Sequence, residues 1–313
     1  MSVTSNPSAK PAHFPFRAAM LPKHWGTLVA LGLLWIIGRL PLSASRRLGA
    51  GLGALMYRVN GKRRRIAHVN VDLCFPDMSP QARAELVRRH FRASGQAYLD
   101  LGFLAWASER RFLGAVHLVG LPHLDEALSR GRRVILLAPH FVGMNVGGIA
   151  VAGHVPTFSM YNPQRNPIVD WLLHKTRSRY ASPLIARKRG LRPVLRGLGE
   201  GMSFYFLPDE DLGPKHSVFA PFFGVPAATL PTLGRLAAAA DAVVIPCYTR
   251  LVPGGYEVRL EPALADFPVG DAVPDAARMN AEIERAVRGM PEQYLWTFKL
   301  FKTRPPGVPS PYA

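Results

Sequence analysis

Residues 131–151 read GRRVILLAPHFVGMNVGGIAV. The run at 134–138 is apolar without alternation, which predicts a strand buried on both faces, as in a parallel sheet covered by helices. Pro139 ends the run because it has no N–H to give a ladder. His140 follows at once, and the small apolar residues beyond it predict a helix packed closely on the sheet. α/β folds place reactive groups at such strand ends. Asn145, five residues on, stands one helical turn in, where its amide is expected to reach back to the imidazole. Gly143, Gly147 and Gly148 leave room for another group to approach the backbone.

The flanking segments agree with an α/β class. Leu86, Phe91, Tyr98, Leu99 and Phe103 mark an amphipathic helix across 78–106, with Ser79-Pro80 supplying an N-cap and a first-turn proline. Residues 124–129 predict a short helix. Apolar runs at 204–207, 243–248 and 256–260 predict further strands, the last two joined at Pro253-Gly254-Gly255. The first of them ends in Pro208 and then Asp209-Glu210-Asp211. Met279, Ile283 and Val287 mark one face of a helix over 274–287. Phe219, Phe222 and Phe223 predict buried positions, in the core or along an acyl groove. No internal repeat, P-loop or dinucleotide fingerprint is present, and His117 and His123 lack metal-ligand spacing.

The 313 residues carry 39 Lys and Arg against 21 Asp and Glu, a formal charge of +18, with only 19% charged and 48% hydrophobic residues. This balance excludes an acidic disordered chain and implies an anionic contact. Two cysteines, Cys74 and Cys247, exclude a disulfide framework and a four-cysteine zinc site. The charge is uneven. Residues 1–71 hold eleven basic residues and no acid, leaving 28 basic and 21 acidic residues for the rest. A second acid-free stretch, 171–199, holds Lys175, Arg177, Arg179, Arg187, Lys188, Arg189, Arg192 and Arg196.

Residues 1–24 are expected to be flexible. Residues 25–38, WGTLVALGLLWIIG, are apolar and uncharged but short of the ~20 residues that cross a bilayer core. A cleaved signal peptide, a buried core helix and a shallow membrane anchor all fit that length. Cations on both sides (Lys23 before; Arg39, Arg46 and Arg47 after) favour the anchor, keeping both ends at one anionic surface. The apolar segment 48–59, followed by the basic cluster 62–65, repeats the pattern. A nucleic-acid partner would explain the charge but not the apolar run, and stacking motifs are absent.

APHFVGMN, together with Tyr161-Asn162-Pro163, Arg165-Asn166-Pro167, Asp170-Trp171-Leu172, Arg177, PDEDLGPKHSVFAPFFGVPAAT at 208–229 and PEQYLWTFKLFKTRPPGVPSPY near the C-terminus, resembles the bacterial lipid A biosynthesis late acyltransferases. The motifs follow the same order over roughly 25–312. The resemblance implies a glycerolipid-acyltransferase-like mixed sheet flanked by helices, with an N-terminal hydrophobic membrane-binding helix. It divides the chain into residues 1–24, an anchor at 25–60 and an acyltransferase domain at 61–313. It implies acyl transfer from acyl carrier protein to a hydroxyl of an anionic lipid A precursor, at the cytoplasmic face of the inner membrane, with no metal or other cofactor and no nucleic acid.

By that resemblance His140 is the general base, a role imidazole fills near neutral pH. The family carries His-x4-Asp or His-x4-Glu; here the last position is Asn145, which accepts a hydrogen bond but brings no charge to an imidazolium. Either the chain is weak as written or another acid, Asp209 or Asp211, takes the part. Arg165, Arg177, Lys188, Arg189 and Lys215 are candidates for lipid phosphates or for the carrier protein. Asn166, Asp170, Asp209 and Asp211 are further substrate-binding candidates. Carboxylates 209–211 at a strand end also suit a metal, which the resemblance makes less favoured than an orienting role.

Overall fold

A computed structural model of the chain describes residues 13–180 and 182–313. Residues 1–12 of the expected flexible segment lie outside the described residues. The N-terminal third is helical: α1 (Phe16–Ala19), α2 (Trp25–Ile37), α3 (Leu42–Val59), α4 (Gly61–Cys74), α5 (Pro80–Trp106) and α6 (Glu109–Leu113). The remainder alternates, running β1 (Val116–Val119), α7 (Leu121–Ser129), β2 (Arg133–Leu137), α8 (Met144–Ala152), β3 (Thr157–Tyr161), α9 (Pro167–Arg177), β4 (Leu184–Ala186), α10 (Arg192–Gly199) and β5 (Ser203–Phe206). A hairpin of β6 (Val218–Phe222) and β7 (Val225–Thr229) follows, then α11 (Thr232–Ala240), β8 (Ala242–Val252), β9 (Gly255–Leu260) and α12 (Ala272–Gly289).

Seven strands form one mixed sheet in the order β1-β9-β8-β2-β5-β3-β4. Every neighbouring pair is parallel except β8 and β9, which form the hairpin expected around Pro253-Gly254-Gly255. β2 lies at the centre, between β8 and β5. Its side chains alternate between two cores, which explains the unbroken apolar run. Val134 and Leu136 pack with Phe103, Phe112, Leu124 and Ile149 on one face. Ile135 and Leu137 pack with Phe91, Phe158, Phe204 and Phe301 on the other. Four apolar side chains withdrawn from water contribute on the order of 6–12 kcal/mol to this central strand.

α8 sits close to the sheet because Gly147 has no side chain. A Cβ there would lie 2.0 Å from Thr249 Oγ1 and 2.8 Å from the Tyr205 hydroxyl oxygen. Phe222 and Phe223 belong to the buried core, whereas Phe219, also expected to be buried, is only half-buried near the start of β6.

α2 and α3 lie against the long helix α5. Glycines permit the close approach: a Cβ on Gly102 would stand 2.1 Å from Leu34 O, and one on Gly53 2.1 Å from Phe91 O. Side chains then pin the layer. Arg46 donates to Val252 O and Gly255 O on the β8–β9 hairpin. Arg111 donates to Gly38 O and Leu40 O at the α2–α3 turn. Asn166 Nδ2 donates to Thr27 Oγ1 across 2.9 Å. No residue of α2 is buried. Trp25, Val29, Leu33 and Ile36, spaced along one face, are 53–64% exposed. Among the described residues no helix is long and apolar enough to cross a membrane.

Candidate active site

Parallel register decides which groups meet. β2 and β5 are paired with Leu137 opposite Phe206, and Ala138 N donates to Phe206 O across 2.8 Å. Three residues beyond Leu137 is His140; three beyond Phe206 is Asp209. The two strand ends therefore deliver an imidazole and a carboxylate to the same point.

Asp209 Oδ1 stands 2.7 Å from His140 Nδ1. Oδ2 accepts from the His140 backbone N–H at 2.8 Å and from the Tyr294 hydroxyl at 2.9 Å. A carboxylate only accepts, so Nδ1 carries the proton and Nε2 of the neutral ring keeps its lone pair. Leu295 N–H donates to His140 O, and the Phe298 ring lies 5.2 Å from the imidazole, so the segment after α12 straps the site closed from one side. The two side chains are 10% and 5% exposed.

Burial pulls the imidazole down, but the adjacent Asp209 charge and its hydrogen bond more than offset this, leaving His140 above its ordinary 6.5. Asp209 is the mirror case. Burial pushes it up, while the His140 charge and the three donors carry it below the ordinary carboxylate value. The pair is built to stabilise an imidazolium.

His140 borders a cavity of about 260 Å³ that runs along α8 and β3. Asn145 lines it too, but does not touch the ring. Its Oδ1 accepts from Arg177 Nε at 3.0 Å. This corrects the expected reach of Asn145 to His140. The physical reason is that Nδ1 already has a charged acceptor, a better partner for an imidazole N–H than a neutral amide oxygen. Of the two alternative acids, the structure brings Asp209 to the ring. Asp211 is elsewhere: its carboxylate accepts from Thr303 N, Thr303 Oγ1 and Gly213 N, fixing the loop after β5 to the C-terminal segment.

The remaining candidates divide. Arg177 lines the cavity, and no described residue takes its terminal Nη groups. Asn166 is the N-cap of α9, accepting from Ile168 N–H, and Asp170 accepts from Gln164 N–H, so both shape the loop before that helix. Arg165, Arg189 and Lys215 are exposed and line no part of the cavity. Among the described residues no three His, Cys, Asp or Glu side chains are grouped to hold a metal.

Three further participants are not among the site residues that the sequence marks out. Glu210 Oε1 stands 3.7 Å from His140 Nε2, and its Oε2 accepts from Arg187 Nη1 at 2.6 Å. Tyr294 reaches Asp209 from 85 residues away. Only their positions at a strand end and in the C-terminal motif hint at them.

The matching family model is that of the bacterial lipid A biosynthesis acyltransferases, over residues 15–303. The lipid A biosynthesis lauroyltransferase of Escherichia coli (strain K12) is 35% identical over 301 residues, covering 95% of this chain and 98% of the relative. A lipid A biosynthesis acyltransferase of Haemophilus influenzae is 36% identical over 301 residues, with 95% and 93% covered. The lipid A biosynthesis myristoyltransferase of E. coli is 32% identical over 294 residues, with 93% and 91% covered.

Proposed function

The chain belongs to the bacterial lipid A biosynthesis acyltransferase family and is an acyltransferase, and from that premise we propose the chemistry and its place. The enzyme moves a fatty acyl chain from acyl carrier protein to a hydroxyl of a lipid A precursor, at the cytoplasmic face of the inner membrane, with His140 as general base. The observation that carries this is the His140–Asp209 pair, with Nδ1 fixed on a buried carboxylate and Nε2 beside the cavity.

The acceptor hydroxyl gives its proton to Nε2 as its oxygen attacks the thioester carbonyl. Asp209 stabilises the imidazolium that forms. The tetrahedral oxyanion needs a donor, and Arg177, which lines the cavity and whose Nη groups no described residue takes, supplies one. Collapse breaks the C–S bond, and the imidazolium proton passes to the leaving thiolate. No covalent enzyme intermediate is needed, because the thioester is already activated.

Membrane contact rests on the apolar face of α2, with Phe16 and Met20 before it and Leu48, Leu55 and Val59 on α3, all exposed. An exposed patch of this kind, flanked by cations, suits an interfacial helix rather than a span. The test is acyl transfer by purified protein from acyl carrier protein thioester to a lipid A precursor, read by mass spectrometry. A mass increase of one acyl chain on the lipid is expected. Acyl carrier protein thioester left intact with every acceptor offered would overturn the proposal.

A further inference from the structure

Glu210 and Arg187 stand at a boundary. Both line the inner cavity with His140, and both also line an open basin of about 440 Å³ on its outer side. Asn162 and Phe298 are shared in the same way. The basin holds three more cations, Arg63, Lys299 and Lys302. Its other carboxylates are already committed, Asp209 to His140 and Tyr294, Asp211 to Thr303 and Gly213. The Glu210–Arg187 pair is therefore the one charge pair at the mouth, among the described residues, that is free to be exchanged. Each side chain is about a quarter exposed.

The position of the carboxylate is informative. One oxygen binds Arg187; the other stands 3.7 Å from Nε2, in the space through which an acceptor hydroxyl must come. A carboxylate held by one arginine N–H at a cationic basin marks a place where an oxyanion can bind the guanidinium, and phosphate brings more charge to it.

We infer that Arg187 is a phosphate subsite for the acceptor lipid and that Glu210 is its resting counter-ion, displaced when that phosphate binds. Displacement clears the approach to Nε2 at the moment the acceptor arrives. Glu210 is thus a positioning residue and Arg187 a specificity residue. The inference rests on the acyl-transfer reading above for the identity of the lipid. It is separate from that reading in its test, because binding is measured without turnover.

The test compares wild type, Arg187→Ala, Arg187→Lys, Glu210→Gln and the double variant Arg187→Ala/Glu210→Gln. Each is assayed with a phosphorylated lipid A precursor, with the same lipid after phosphatase treatment, and with varied acyl carrier protein thioester. Equilibrium binding of both lipids in mixed micelles is measured alongside. Arg187→Ala is expected to raise KM and Kd for the phosphorylated lipid about tenfold or more, the size of one charge-assisted contact. Its effect on the dephosphorylated lipid and on the donor should stay within about threefold. Arg187→Lys should recover part of the loss. Glu210→Gln should tighten the phosphorylated lipid by roughly threefold or more, and the double variant should match Arg187→Ala. A rise confined to the donor's KM would assign the phosphate to the carrier's prosthetic arm and overturn the inference. Equal losses with both lipids, or weaker lipid binding by Glu210→Gln, would overturn it as well. Phosphate-dependent binding in a protein that transfers no acyl chain would uphold the subsite and sink the acyl-transfer reading instead.

Discussion

His140 Nδ1 and Asp209 Oδ1 stand 2.7 Å apart although 69 residues separate them in sequence. The contact follows from one register, Leu137 opposite Phe206, carried three residues past two parallel strand ends. It gives the imidazole a fixed tautomer and a buried counter-charge. It also moves the acid of the dyad away from position 145, where the His-x4 spacing points.

Replacing Asp209 by Asn keeps the shape but offers an amide that can donate to Nδ1 and select the wrong tautomer. Turnover should fall by about 10⁴, the size known for the equivalent change in a serine-protease triad. Steady-state kcat at saturating donor and acceptor checks this, with an unchanged melting temperature as the control for folding.

Position 145 should behave differently. Asn145→Asp places a carboxylate on Arg177, not on His140, so its effect on kcat should stay within about tenfold. The same assay decides it; a gain of several orders of magnitude would mean that residue 145 does reach the ring.

The pH dependence has a defined sign. His140 must be neutral to act as a base, and Asp209 holds it above 6.5 despite burial. The acid limb of kcat/KM should therefore rise through a midpoint above 6.5. In Asp209→Asn the raising charge is gone while burial remains, so the midpoint should move down. A pH–rate profile of the two proteins reads both limbs.

Asp100 gives a stability test far from the site. Burial lifts its carboxyl from 3.8 to about 6, only partly opposed by the Tyr256 hydrogen bond and by Arg46, whose Nε is 3.8 Å away. A raised carboxyl means the folded state binds the extra proton between about pH 6 and 4, so this group's contribution to stability improves as pH falls through that window. Asp100→Asn should stabilise the fold at pH 8 by on the order of 1–3 kcal/mol, with the gain fading towards pH 4. Denaturant melts at the two pH values measure it.

For the membrane face, Val29→Ser with Leu33→Ser removes two exposed apolar side chains from α2 and leaves the core untouched. Each contributes about 1.5–3 kcal/mol when buried in lipid, so vesicle partitioning should weaken by about 10²-fold or more. Co-sedimentation with anionic vesicles reads the change.

How much of this is legible in the residues differs from element to element. The unbroken run 134–138, the proline stop and His140 are local signals, and β2 and the site's histidine follow from them. The long helix is equally local: Ser79 caps α5 by accepting from Ala82 N–H, and Pro80 opens it. β3 and β4 are only five and three residues long, TFSMY and LIA, too short for a pattern to announce a strand. The dyad's acid is not local at all, since it depends on how two distant strands align. The spacing from His140 to Asn145 suggests a contact that the charged competitor takes away. Arg187 and Glu210 look like any surface cation and loop acid until the fold sets Glu210 beside Nε2 and Arg187 on Glu210.

Acyl transfer to a lipid A precursor, with His140 as the base and Asp209 as its partner, is the proposal on which the other predictions depend. Single-turnover transfer from acyl carrier protein thioester to the precursor, followed by mass spectrometry in wild type, His140→Ala, Asp209→Ala and the double variant, tests it most directly. Wild type should yield the acylated lipid, His140→Ala should lose about 10³-fold or more, and the double variant should fall no further than His140→Ala, because the two side chains act as a unit. Full-rate transfer by His140→Ala would contradict the account.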